Sequence, residues 1–319
     1  NGDSTGSLTV TPAGGSAPFT YLWDDPSAQT DSVANGIPAG TYTATVTDNA
    51  GCIALATSTI TQPTAISLSI ISIIDVACNS ALTGTAVVNA SGGVSPYSYL
   101  WDDPSNQTDS VANGIGAGTY QAVVTDNNGC VDSITATLIE PTALNVSITD
   151  AAMVGCNGDS TGSATATPTG GTSPYTYLWD DPSNQTDSVA GTVPAGTYKV
   201  VITDANGCMD SITTVITEPA VLSLTTVADS TSCGGYSDGK TTVTVVGGTA
   251  NFNYIWSSGD STLNTAALID SATGLTAGTY YVTVTDNNGC SAVDSTKVEQ
   301  PVDITGGVAP DSAVGCNGD

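Results

Sequence analysis

The chain has 319 residues and carries 30 Asp and Glu against three Lys (Lys199, Lys240, Lys297), with no Arg and no His, for a net charge of −27. Phosphate backbones and anionic headgroups are held by clustered cations, so nucleic acid and acidic membrane surfaces are excluded as partners. No run approaches the roughly 18 apolar residues of a membrane helix, so no membrane insertion is expected. The sequence opens at Asn1 with neither Met nor a signal peptide, which reads as a processed product or a window of something longer.

Self-similarity sets the domain organisation. Trp23, Trp101, Trp179 and Trp256 fall 78, 78 and 77 residues apart. Each is followed by a Gly-Thr-Tyr triplet, at Gly40, Gly118, Gly196 and Gly278, and then by Asp-x-x-Gly-Cys. A fixed period of this length marks a tandem array, here of four small domains near the size at which one core is only marginally stabilising. Prolines set the edges: repeat 1 over 1–63, repeat 2 over 64–141, repeat 3 over 142–219, repeat 4 over 220–301, and a tail over 302–319.

In chain order, repeat 1 lacks a first strand, and repeats 2 and 3 carry the full pattern. In repeat 3, residues 143–149 alternate apolar and polar as a half-buried strand, and a polar loop over 150–162 carries Cys156. A strand over 163–167 ends at Pro168 and the Gly170-Gly171 pair. Tyr175, Tyr177 and Trp179 then share one face of a third strand, because strand side chains alternate. Residues 180–184 are a turn, 186–193 a weaker strand, and 196–204 the strongest one. Asn206-Gly207 is a hairpin signal, after which 209–217 returns antiparallel to Glu218-Pro219. Repeat 4 departs most, with Asn251-Phe252 in place of Pro-Tyr and an insertion after Trp256. The tail reads as a first strand with no domain behind it, and Asn317-Gly318-Asp319 repeats Asn1-Gly2-Asp3. Two explanations fit: a window of a long repeat polymer, or a strand donated to the next subunit.

About seven short strands with frequent turns indicate an all-β fold, a tandem array of immunoglobulin-like (Ig-like) sandwiches of about 78 residues. Tyr42, Tyr120, Tyr198 and Tyr280 stand where a tyrosine corner pins the crossover between sheets. The four Trp are expected in the core, packed between sheets, and not on a ligand platform.

The combination Gly-Gly-x-x-Pro-Tyr-x-Tyr-x-Trp, Ala-Gly-Thr-Tyr-x-x-x-Val-Thr-Asp-x-x-Gly-Cys and a closing Glu/Gln-Pro resembles the SprB repeat family, across all four units. The resemblance implies a very large surface adhesin of gliding Bacteroidota, exported by type IX secretion, hence an extracellular, cell-surface protein. It does not name the adhesive target.

Eight cysteines follow the period: Cys52, Cys130, Cys208 and Cys290 in the hairpins, and Cys78, Cys156, Cys233 and Cys316 in the first loops. Regular pairs in small domains read as disulfides of an oxidising compartment; metal binding lacks His and any Cys-x-x-Cys spacing. Pairing within repeats would join Cys78–Cys130, Cys156–Cys208 and Cys233–Cys290. In an Ig topology, however, the first loop and the last hairpin lie at opposite ends, about 23 Å apart, beyond the roughly 7 Å that a bridge spans. Head-to-tail stacking favours Cys78–Cys208 and Cys156–Cys290, with Cys130 bonded to a cysteine before Asn1 in a neighbouring chain or segment.

Three site expectations remain. Asp-Ser followed by an apolar residue or Thr occurs twelve times and looks like the O-glycosylation acceptor of exported Bacteroidota proteins. Ser32, Ser110, Ser188, Ser133 and Ser211 are the candidates, against the plainer reading that Asp-Ser opens turns and strands. Calcium takes six to eight oxygens, and Asp24 and Asp25 with Asp126, or Asp102 and Asp103 with Asp204, would share an ion across a junction, against a merely solvated acidic surface. No cofactor is required. No catalytic residue is expected, since there is no His, no isolated activated Cys and no phosphate loop before a helix. The sequence therefore reads as a structural or adhesive repeat protein whose partner is itself, in a head-to-tail filament or longer polymer. The alternatives are a glycan-binding adhesin with exposed Trp and Tyr, and the stalk of a larger secreted enzyme.

Overall fold

The computed structural model describes residues 3–302 and 304–308, and every regular element in them is a strand. The chain forms two compact units, Asn1–Thr142 and Ala143–Asp319, with two repeats in each.

Repeat 1 comprises β1 (Gly6–Thr9), β2 (Thr20–Trp23), β3 (Val33–Ile37), β4 (Gly40–Thr47) and β5 (Ile53–Ile60). Repeat 2 comprises β6 (Ser67–Ile74), β7 (Gly84–Ser91), β8 (Ser98–Trp101), β9 (Val111–Ile115), β10 (Gly118–Thr125) and β11 (Val131–Leu138). In the second unit, repeat 3 runs through β12 (Asn145–Ala152), β13 (Gly162–Thr169), β14 (Thr176–Trp179), β15 (Val189–Val193), β16 (Gly196–Thr203) and β17 (Met209–Ile216). Repeat 4 follows with β18 (Ser223–Asp229), β19 (Gly239–Val246), β20 (Phe252–Trp256), β21 (Ser261–Thr265), β22 (Ile269–Leu275), β23 (Gly278–Thr285) and β24 (Ser291–Val298).

All pairings are antiparallel. In repeat 2, β6-β7-β9 faces β11-β10-β8, and repeat 3 repeats this as β12-β13-β15 over β14-β16-β17. These are the A-B-E and G-F-C sheets of an Ig sandwich without its fourth A-B-E-D strand. The expected seven strands are therefore six. Only nine residues separate Trp101 from Val111, enough to cross between sheets and too few for a further strand. Repeat 4 does reach seven, because its insertion adds β21 beside β20.

Two strand boundaries also differ from the sequence reading. The strand expected over 143–149 continues to Ala152 through a bulge at Ile148/Asp150, so the polar loop starts later. Pro168 does not end its strand; it lies inside β13 opposite Val146. Its neighbour Thr169 pairs with Asn145, so the ladder tolerates one missing N–H near the strand end.

Alternation places one face of each sheet inward. In β16, Tyr198, Val200 and Ile202 are buried and join Trp179, Ala190, Val193 and Ile216 in one cluster. Repeat 2 builds the same core from Trp101, Ala86, Ala112, Ala122 and Leu138. Small alanines opposite a large indole let two sheets approach without overpacking. Gly162, at the head of β13, belongs to this fit: a Cβ there would stand 2.5 Å from Ile216 Cγ2 and 2.9 Å from the Val193 carbonyl oxygen.

Among the described residues, repeat 1 shows no counterpart of β6, β12 or β18. Those strands pack on β11, β17 and β24. Without one, β5 is exposed at seven of its eight positions, whereas β17 alternates regularly. The expected first strand of the tail falls largely outside the described residues, as do Cys316 and Asn317-Gly318-Asp319.

Candidate functional site: the turns and the inter-repeat junction

The motifs that recur along the chain are ties between distant segments. Each Trp indole is buried and donates its Nε1–H to the end of the following crossover: Trp23 to the Asp31 carbonyl at 2.9 Å, Trp101 to Asp109 and Trp179 to Asp187, both at 3.0 Å. Trp256 uses the Asp270 carboxylate instead, at 2.8 Å. The tyrosine corner is present in all four repeats. Tyr42, Tyr120, Tyr198 and Tyr280 donate to the carbonyls of Pro38, Gly116, Pro194 and Thr276, four residues back. Tyr42 and Tyr198 are buried, while Tyr120 and Tyr280 are half-buried at the edge of their cores.

The Asp-Asp pair after each regular Trp divides its work. The first carboxylate accepts the N–H of the neighbouring strand: Asp24 from Thr43, Asp102 from Gln121, Asp180 from Lys199, at 2.6, 2.7 and 2.6 Å. The second is buried and closes the turn. Asp103 accepts from the Ser105 and Gln107 amides and from Gln107 Nε2, and Gln107 in turn clamps the backbone of Asn113. Burial pushes the Asp25, Asp103 and Asp181 carboxyls up, but the Gln and Ser donors outweigh it and hold all three below the usual carboxylate value.

The Asp of Asp-x-x-Gly-Cys joins the hairpin to the Gly-Gly turn. Asp126 Oδ1 accepts from the Asn128 and Cys130 amides and Oδ2 from Val94, all at 2.9 Å. Asp204 does the same with Asn206, Cys208 and Thr172. The Ser16 and Cys52 amides lower the pKa of Asp48; at Asp126 and Asp204 burial opposes the same kind of donors, and the net shift is again downward.

Asp24, Asp25, Asp102, Asp103, Asp126 and Asp204 all accept backbone amides. Among the described residues no three Asp, Glu or Cys side chains gather as cation ligands. The turn-capping use of these carboxylates was missed from sequence, although Asp followed two to four residues later by a polar or Gly position is its local signal. Of the Asp-Ser sites, Ser133 and Ser211 are exposed on β11 and β17, while Ser32, Ser110 and Ser188 are half-buried just before β3, β9 and β15. The Asp of one such pair is itself structural: Asp210 accepts the Val146 amide and ties β12 to β17.

The junction is covalent in the second unit. Cys156, in the first loop of repeat 3, is bonded to Cys290, in the last hairpin of repeat 4, with Cα atoms 5.7 Å apart at a sequence separation of 134. Asn288 Nδ2 donates to the Gly155 carbonyl at 2.8 Å beside it. The loop meets the next repeat because it sits at the exit of its own. Glu218, which closes repeat 3, accepts the Gly158 amide at 2.7 Å, and the Pro219 carbonyl accepts from Asn157. Cys78 and Cys208 are not free thiols either, whereas Cys52, Cys130 and Cys233 are.

Fold and junction together define a class: an all-β tandem array of Ig-like repeats, stapled across at least one junction. Each repeat carries a match to one family profile. The profile of that family, described as "SprB repeat", matches four times, at residues 1–28, 71–106, 149–184 and 225–261. No curated protein matches the chain. Among solved structures, it is similar to the three-Ig titin fragment I67–I69 in an E-to-A mutated variant, with 14% identity over 76% of this chain and 100% of that one, at a TM-score of 0.33. It is also similar to a Dscam structure described for isoform specificity, with 12% identity over 88% of this chain and 91% of that one, at a TM-score of 0.25. Neither likeness carries an argument about this chain, and the Ig-like assignment rests on its strand pairing.

Proposed function

We propose that the chain is a non-catalytic, extracellular stretch of a cell-surface adhesin, serving as a structural array that carries or forms a filament. The observation that carries this is the Cys156–Cys290 bridge between consecutive SprB repeats. A disulfide persists in an oxidising compartment, and one that spans a junction resists separation of neighbouring domains under tension. The acidic, basic-poor surface suits the same setting, since it offers few cleavage sites to proteases that need Lys or Arg. The glycan-binding alternative asked for exposed indoles, and all four are buried, at 3, 0, 0 and 2% exposure.

The reading is tested on intact source cells with an antibody against the repeats. Surface label that disappears when intact cells are treated with proteinase K is expected. Label that appears only after lysis would overturn it.

A further inference from the structure

The chain carries 30 acidic residues, yet none stands on the outward face of the sheets β2-β4-β5, β8-β10-β11, β14-β16-β17 and β20-β23-β24. Alternation gives each of these sheets one side buried around its Trp and one side facing out. The carboxylates of their strands, Asp132, Asp210 and Asp294, are half-buried on the inward side. Asp24, Asp102 and Asp180, which follow the Trp strands, are held at the strand edge by the amides of Thr43, Gln121 and Lys199.

What the face carries instead recurs in every repeat. Leu22, Leu100, Leu178 and Ile255, each just before its Trp, point outward at 50 to 55% exposure. Opposite them stand Thr45, Val123, Val201 and Thr283. Around this row the positions are mainly Thr and Ser, and hydroxyls bond in pairs across the strands. Thr41 meets Thr59 at 2.8 Å, and Thr119 meets Thr137 at 2.9 Å. Polar groups already bonded within their own face cost little to cover.

We propose that this face packs against the same face of a second copy of the chain, joining two arrays side by side. Charge, chemistry and period select that occupant. A chain of net charge −27 repels its copies, and two can meet at least cost across a face that holds no carboxylate. A cationic partner would be drawn to the acidic turns instead. A sugar is gripped by exposed aromatic rings, and the outward faces of repeats 1 to 3 have none. An aliphatic row rimmed by satisfied hydroxyls is complementary to another of its kind, and sheets stack face to face in this way in sandwiches. The face recurs with the repeats, as a partner built of the same repeats requires. Lateral pairing goes beyond the array reading above, which concerns contacts along one chain.

The test is sedimentation of the 319-residue chain, its free thiols blocked with iodoacetamide. It is run at about 0.01 M and about 0.15 M salt, where the Debye length is roughly 30 and 8 Å. A reversible dimer is expected, about tenfold tighter or more in the higher salt, because screening removes the repulsion between two acidic chains. Leu100→Asp with Leu178→Asp should leave only monomer. Asn89→Asp with Thr244→Asp places the same added charge on exposed positions of the other sheets, and this pair should dimerise as the parent does. The parent chain also reports without substitution, through its two methionines. Met209 lies on the face opposite Thr203, Met153 lies off it, and both are exposed. Peroxide converts an accessible thioether to the sulfoxide, so dimerisation should slow oxidation of Met209 several-fold relative to Met153. Monomer at both salt concentrations, a dimer that survives the Leu pair, equal loss with the control pair, or Met209 equally reactive in monomer and dimer would each overturn the pairing. None of these results touches the surface label, so failure here is separable from failure of the array reading.

Discussion

Four tyrosine hydroxyls reach the same carbonyl four residues back, and three indoles reach the carbonyl eight residues ahead. These bonds set the scale of single-residue effects. Tyr198→Phe removes one neutral hydrogen bond and should lower stability by about 1 kcal/mol in urea unfolding. Thr241 should behave in the opposite sense. It is fully buried at the position that Ala86 and Ala164 occupy in other repeats, and its hydroxyl has no hydrogen-bond partner. Thr241→Val keeps the shape and removes the unsatisfied oxygen, so repeat 4 should gain roughly 1 kcal/mol. The capping carboxylates predict a pH response. Asp25, Asp48, Asp103, Asp126, Asp181 and Asp204 have folded-state values below 3.8. Their stabilisation is present above that value and is lost as pH falls through the folded-state values. Acid unfolding should therefore begin below pH 3.8, and the combination of Asp48→Asn, Asp126→Asn and Asp204→Asn should flatten the dependence. A midpoint near pH 5 in the parent chain would contradict this.

At the scale of elements, the core alternation makes Trp101→Ala the most damaging simple truncation. It should cost about 3–5 kcal/mol and unfold repeat 2 ahead of its neighbours in a calorimetric scan. Gly162→Ala should cost less, about 1–3 kcal/mol, because Ile216 can shift but the Val193 carbonyl cannot. Much of this architecture was legible in the sequence. The period, the indole positions, the Asn-Gly hairpins and the tyrosine corner are all local patterns, and local patterns survive translation into structure. What the sequence concealed depends on distance. The capping role of the Asp-Asp pairs was not legible because the amides of Thr43, Gln121 and Lys199 that the first Asp of each accepts lie 19 residues away. The sixth-versus-seventh strand turned on how few residues are needed to cross between sheets, and Pro168 on a ladder that tolerates one missing donor. The close packing at Gly162 is likewise invisible until β17 is in place.

At the scale of the whole molecule, separate Ig-like repeats are stapled across a junction, so that tension meets a covalent stop. The Cys156–Cys290 bridge joins positions 134 apart in sequence. Pulled end to end with the disulfides intact, the residues between them cannot extend, whichever repeats unfold. The direct test is single-molecule force spectroscopy of the chain with and without a reductant. The account predicts that reduction lengthens the fully extended chain by at least about 480 Å, the reach of 134 residues at roughly 3.6 Å each. It also predicts that unfolding then proceeds in steps near one repeat of 78 residues. An extended length unchanged by reductant would contradict it.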